Sequence, residues 1–123
     1  MESTASLVIV EWTDPGGGFD PPRYVAPLHI HNEDDEAWYV LDGELCVRVD
    51  RDDVVVPAGE MVIVPRGTPH TYWNSQAGPT RYLLVITVRI ERLIAALHAL
   101  DEPDERVVAA TFREHGSEYL GWP

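Results

Sequence analysis

From Pro27 to Gly43 the chain reads Pro-Leu-His-Ile-His-Asn-Glu-Asp-Asp-Glu-Ala-Trp-Tyr-Val-Leu-Asp-Gly, and no other stretch constrains the fold as much. Two apolar runs flank an acidic turn, Asn32 to Asp35, and the second run ends in Asp42-Gly43, a two-residue hairpin signal. His29 and His31 are separated by one residue in an extended context, and alternate side chains of a strand share a face. Both imidazoles therefore point the same way. Glu36 opens the second run, so two ring nitrogens and a carboxylate can converge. His70, which begins a later strand-like run, is the candidate fourth contributor.

Around this pair of runs the chain repeats one format. Leu7 to Trp12 is rich in branched residues and stops at Asp14-Pro15-Gly16-Gly17-Gly18. Glu44 to Asp50 alternates, with Leu45, Val47 and Val49 on one face and Glu44, Cys46 and Arg48 on the other. Val54 to Val56, Met61 to Val64, His70 to Trp73 and Tyr82 to Ile90 follow, parted by polar, Pro- or Gly-bearing turns. Short strands at this spacing predict an all-β sandwich or barrel. The pattern then changes: Ile90, Leu93, Ile94, Leu97 and Leu100 recur at helical spacing. Asp101 is a candidate cap for a second helix running to about His115, with Gly116 as its stop. The expected organisation is a β domain over residues 1–90 and a C-terminal helical extension over residues 91–123, which packs on the barrel or on a partner subunit because it is too poor in apolar residues for a core of its own.

Charge narrows the function classes. The formal net charge is -12, and all nine basic residues are Arg. Such a chain is poorly suited to nucleic acid or an anionic membrane surface, which need clustered positive charge. Without Lys there is no Schiff-base nucleophile and no lysine-bearing phosphate loop. Cys46 is the only cysteine, which excludes an internal disulfide and fits a reducing compartment. Neither a signal-peptide pattern nor an apolar run of membrane-spanning length is present, so a cytoplasmic location is expected.

The spacing of the candidate ligands is more specific than any of this. His29-X-His31 is followed by four residues and Glu36, then six residues and Gly43. Downstream, Gly59 precedes five residues, Pro65-X-Gly67, two residues, His70, three residues and Asn74. These two blocks closely resemble the paired motifs of the cupin superfamily, over roughly residues 20–90. One departure is Arg23, where the family often has a turn glycine that takes no part in metal binding. The resemblance implies a double-stranded β-helix, the cupin jelly roll. It also implies a metal site made of His29, His31, Glu36 and His70. Three imidazoles and a carboxylate suit one divalent transition metal (iron, manganese, nickel, copper or zinc) and leave coordination positions open.

Alternation places further residues in the barrel interior. Trp38 and Val40 continue the inward set from Glu36, Tyr72 continues it from His70, and Met61 and Ile63 are expected on the same wall of a substrate pocket. The opposite faces, Leu28, Ile30, Tyr39 and Leu41, are apolar too, which predicts a cover from the tail or a homodimer. His98 and His115 read as surface or capping residues, and Cys46 as an inert strand residue. The function expected is a metal-dependent enzyme on a small organic molecule, resembling quercetin dioxygenase-type cupins, with Glu36 doubling as a catalytic base. A metal-dependent isomerase or cyclase, or a non-catalytic ligand-binding module, would use the same site. A metal-free epimerase-like role is disfavoured by the intact ligand set.

Overall fold

The computed structural model describes residues 6–123. Nine strands and two helices follow in the order β1 (Leu7–Asp14), β2 (His29–His31), β3 (Glu36–Asp42), β4 (Glu44–Val49), β5 (Asp52–Pro57), β6 (Met61–Val64), β7 (His70–Asn74), β8 (Thr80–Thr87), α1 (Val88–His98), α2 (Glu105–Glu114) and β9 (Ser117–Tyr119). Two antiparallel sheets result. One is ordered β1-β8-β3-β6 and the other β5-β4-β7-β2-β9. Apart from the β4–β5 hairpin, consecutive strands cross from sheet to sheet, as in the double-stranded β-helix. None of the described helices is long and apolar enough to cross a membrane.

The core lies between the sheets. Trp38, Val40, Leu45, Val47, Val56, Val64, Tyr72, Tyr82, Leu84, Ile86 and Ile90 form one buried cluster. Alternation explains the membership: every second residue of β3, β4 and β8 enters it. Turn glycines hold the strands in place. Gly43 has φ +91°, and a Cβ there would stand 2.4 Å from the Thr80 hydroxyl, so no side chain fits. Gly67, at φ +80°, donates its N–H to the His31 carbonyl at 2.8 Å and ties the turn before β7 to β2.

Register decides which face of β6 is buried, and here the expectation from sequence is corrected. Glu36 pairs with Val64, Ala37 with Ile63, Trp38 with Val62 and Tyr39 with Met61. Opposed residues of an antiparallel pair share a face. Val62 and Val64 therefore turn inward with Trp38 and Glu36. Met61 and Ile63 turn outward and are 54% and 58% exposed. A slip of one residue in the assumed pairing exchanges the two faces. Outside, Ile9, Val85, Ala37 and Ile63 line up across the four strands, and Glu11, Leu83, Tyr39 and Met61 form the next row.

The segment after the barrel also departs from expectation. Helix α1 starts at Val88 because the Thr87 hydroxyl caps it, accepting from the Ile90 N–H at 3.2 Å. Helix α2 is capped by Asp104, whose carboxylate accepts from the Val107 N–H at 2.9 Å, and not by Asp101. Glu102 adopts φ +45° before Pro103, so this stretch is a turn. The extension is not purely helical. After Gly116, at φ +72°, the chain becomes extended, and β9 joins the edge of the second sheet beside β2.

Candidate metal centre

Strand β2 places the two histidines as alternation requires: His29 and His31 are both buried, while Ile30 between them is half-exposed. His70 stands directly opposite His29 in the β2–β7 pair. Glu36 enters from the first sheet, at the start of β3. One ligand atom from each of His29, His31, Glu36 and His70 lies within 4.8 Å of the others, and all four residues are buried. All four sequence-predicted ligands are thus brought together, from two strands of one sheet and one strand of the other.

The imidazoles are oriented from outside the cluster. The Nδ1 atoms of His29 and His70 lie 2.6 Å and 2.9 Å from the carbonyls of Pro27 and Thr68. A carbonyl only accepts, so each Nδ1 carries a proton and each ring turns its Nε2 toward the cluster. His70 Nε2 is 2.9 Å and His31 Nε2 is 3.2 Å from Glu36 Oε1. A bare nitrogen beside a carboxylate oxygen needs a proton or a cation between them. His31 Nδ1 in turn meets the Ser117 hydroxyl at 2.7 Å, both residues being buried. This is how metal-ligating histidines are commonly held. The donor set therefore fits a divalent transition metal.

Electrostatics favour the ligating forms of His29 and Glu36. Burial, with the nearby His70 and His31, lowers the pKa of His29 to about 3, so its ring is neutral at neutral pH. Burial alone would raise the pKa of Glu36. Hydrogen bonds from His31 and His70, together with their charge, outweigh it and hold the carboxyl well below its ordinary range.

A cavity of about 400 Å³ opens on this cluster. His29, His31, Glu36, Trp38, Tyr72 and Tyr82 form its barrel end, and His70 is buried outside that wall. Residues of α1, α2 and the segment after β9 form its roof, among them Leu93, Ile94, Leu97, Phe112 and Trp122. Of the expected pocket residues, Trp38 and Tyr72 reach the wall. Val40 is fully buried in the core and does not, because its side chain packs one layer further down the barrel. Met61 and Ile63 are on the outer surface. His98 is exposed, as expected, and stands at the cavity rim with its ring 6.4 Å from that of Trp12. His115 caps α2, its Nδ1–H donating to the Thr111 carbonyl at 2.8 Å.

Several site residues escaped the sequence reading. Ser117 had only a faint signal, a short extended run between Gly116 and Gly121. Phe112, whose ring centroid is 5.4 Å from that of His29, follows the apolar stripe of α2. Tyr82 was read only as part of an apolar strand. Asn74, the last position of the second motif, stands outside the cluster. Its side chain binds Asp14, Gly78, Gln76 and Thr80 and so fixes the turn from β7 to β8.

A mostly β barrel with three histidines and a glutamate gathered at one end of a cavity defines a metal-binding jelly roll. Residues 18–86 match the Cupin_2 domain, more than half of the chain, and the protein belongs to the cupin family. Over 46 residues the chain is 39% identical to quercetin 2,3-dioxygenase of Bacillus subtilis (strain 168). That segment is 37% of this chain but only 14% of the dioxygenase. Among solved structures, one described as a predicted oxalate decarboxylase from Thermotoga maritima is 26% identical, with a TM-score of 0.55. The match spans 65% of this chain and 64% of that one. Pac13, a nucleoside dehydratase, matches 98% of this chain and 73% of its own, with a TM-score of 0.59 at 14% identity. At that identity the likeness is one of fold, and it extends through the C-terminal segment.

Proposed function

We propose that this protein is a metal-dependent enzyme of dioxygenase-like type, acting on a small organic molecule held between the ligand cluster and the helical roof. The observation that carries the reading is the cluster itself: four buried ligands, two with their Nδ1 atoms held by backbone carbonyls and three at the wall of a largely apolar cavity. The shared segment with a quercetin dioxygenase supports the reaction class. A divalent metal held by His29, His31, Glu36 and His70 would supply Lewis-acid contact to a substrate oxygen and, for a redox-active ion, access to oxygen chemistry.

The chain's own residues do the remainder. Glu36, ionised and at the cavity wall, is the proposed acceptor for the proton of an acidic O–H of the bound molecule. His29 stays neutral and keeps its lone pair. The apolar roof excludes water, which strengthens every polar contact beneath it. Oxygen uptake by metal-loaded protein with a panel of enediols and flavonols tests the assignment. Uptake that requires both metal and Glu36 supports it, and no uptake with any of the panel opposes it.

Isomerisation or cyclisation is a second reading with the same residues, favoured by the Tyr72 and Tyr82 hydroxyls, which share the cavity wall with the Glu36 carboxylate. Turnover without oxygen consumption would select it. A second copy of the chain is the proposed cover for the outer face of the first sheet. Ile9, Met61 and Ile63 are exposed there beside the opposed charges of Glu11 and Arg81, which a two-fold contact can exchange. Sedimentation showing only a 13.8 kDa species would refute the dimer.

A further inference from the structure

The cavity wall one layer below the ligand cluster carries more hydrogen-bond donors than acceptors. Trp38 and Tyr72 sit two residues after Glu36 and His70 on the same strand faces, and Tyr82 faces them from β8. The Tyr72 and Tyr82 hydroxyls are 2.8 Å apart, so one donates to the other. The Trp38 indole N–H is fully buried, so it lies behind the wall against the Tyr72 ring and does not reach a ligand. The phenols carry the surplus. Of their two protons one is spent within the pair, and the other has no acceptor among the described residues. A donor left unpaired at a cavity wall is costly, so the site favours a ligand that brings an acceptor.

Around this polar spot the wall is apolar. Leu84 comes from β8, Leu93, Ile94 and Leu97 from α1, and Phe112 from α2. The ligand cluster lies at one side and the donor surplus about two strand residues away, roughly 7 Å along β3 and β7. A volume of about 400 Å³ is at the small end for organic ligands.

We infer that the ligand of this cavity is a small, largely apolar molecule with two oxygen functions at opposite ends: an acidic hydroxyl at the His29–His31–Glu36 end and a carbonyl-type acceptor received by the Tyr72–Tyr82 hydroxyl pair. The inference rests on the reading of the cavity as a small-molecule site and specifies its ligand class. Tyr72 and Tyr82 are then specificity residues, since a site built to satisfy an oxygen discriminates strongly against a ligand lacking it.

The test is calorimetric binding of two probes of matched shape, 4-hydroxyacetophenone and 4-ethylphenol, to the purified full-length protein. The carbonyl compound binds tighter by about tenfold or more, and the preference falls to about onefold in the Tyr72→Phe/Tyr82→Phe variant, the loss falling mainly on 4-hydroxyacetophenone. The single variant Tyr82→Phe, which keeps the Tyr72 hydroxyl, gives an intermediate preference and serves if the double variant does not fold. Equal affinity of the wild-type protein for both probes, or a preference that survives loss of both hydroxyls, overturns the inference and leaves the small-molecule reading standing. Binding of neither probe, with metal supplied or withheld, overturns both.

Discussion

The two ends of the cavity are built in opposite ways. At the barrel end, His29, His31, Glu36 and His70 stand on short strands at fixed spacings, each held by neighbours such as Pro27, Thr68 and Ser117. At the roof, α1 and α2 supply aliphatic and aromatic surface with little directional bonding, apart from rim contacts such as the Tyr119 hydroxyl donating to Glu105 at 2.9 Å. One end recognises by geometry, the other by shape and exclusion of water. Substitutions at the polar end should therefore act on metal and chemistry, and substitutions at the roof on stability and ligand choice.

Phe112→Ala is the strongest probe of that division. The side chain is buried in α2 against His29 and Tyr119, and its truncation is expected to cost about 3–5 kcal/mol in unfolding experiments while metal stoichiometry stays near one per chain. Loss of metal together with stability would show that the roof also organises the cluster. Ser117→Ala should do the reverse. It removes the hydroxyl that holds His31 Nδ1, and metal affinity should fall by roughly 10–100-fold in chelator competition, with a stability change of about 1 kcal/mol. An unchanged affinity would place the orientation of His31 entirely within β2.

The pH dependence of the metal-free protein separates the ends further. His29 has a folded pKa of about 3 against an ordinary 6.5, so between those values the unfolded chain binds the extra proton. Stability should therefore fall as pH drops from 7 to 5, by roughly 2 kcal/mol from this residue, as read from urea midpoints. Glu36, held below its ordinary range, contributes in full across that window and loses its contribution only at lower pH. The slope should persist in Phe112→Ala and flatten in His29→Phe. The smallest effect is expected at the outer face: Ile63→Ser should change monomer stability by less than about 0.5 kcal/mol and be visible only in sedimentation.

The same contrast explains what could be read from the sequence. His29, His31 and Glu36 were legible because alternation within a strand and a short loop are local properties, and His70 joined them through the resemblance of the two motif blocks to those of cupins. The faces of Met61 and Ile63 were not, because they depend on the register between β3 and β6, and a slip of one residue inverts it. Ser117 was hidden for a similar reason: its partner is 86 residues away, and a three-residue strand carries almost no periodicity. The helical stripe of α1 was visible, but not that it would roof a cavity instead of merely packing on the barrel.

Metal analysis bears most directly on the central claim. Protein incubated with a divalent transition metal and freed of excess should retain about one ion per chain, and His31→Ala should reduce this to near zero while near-UV circular dichroism shows the barrel intact. Substoichiometric metal, unchanged by His31→Ala, would contradict the account.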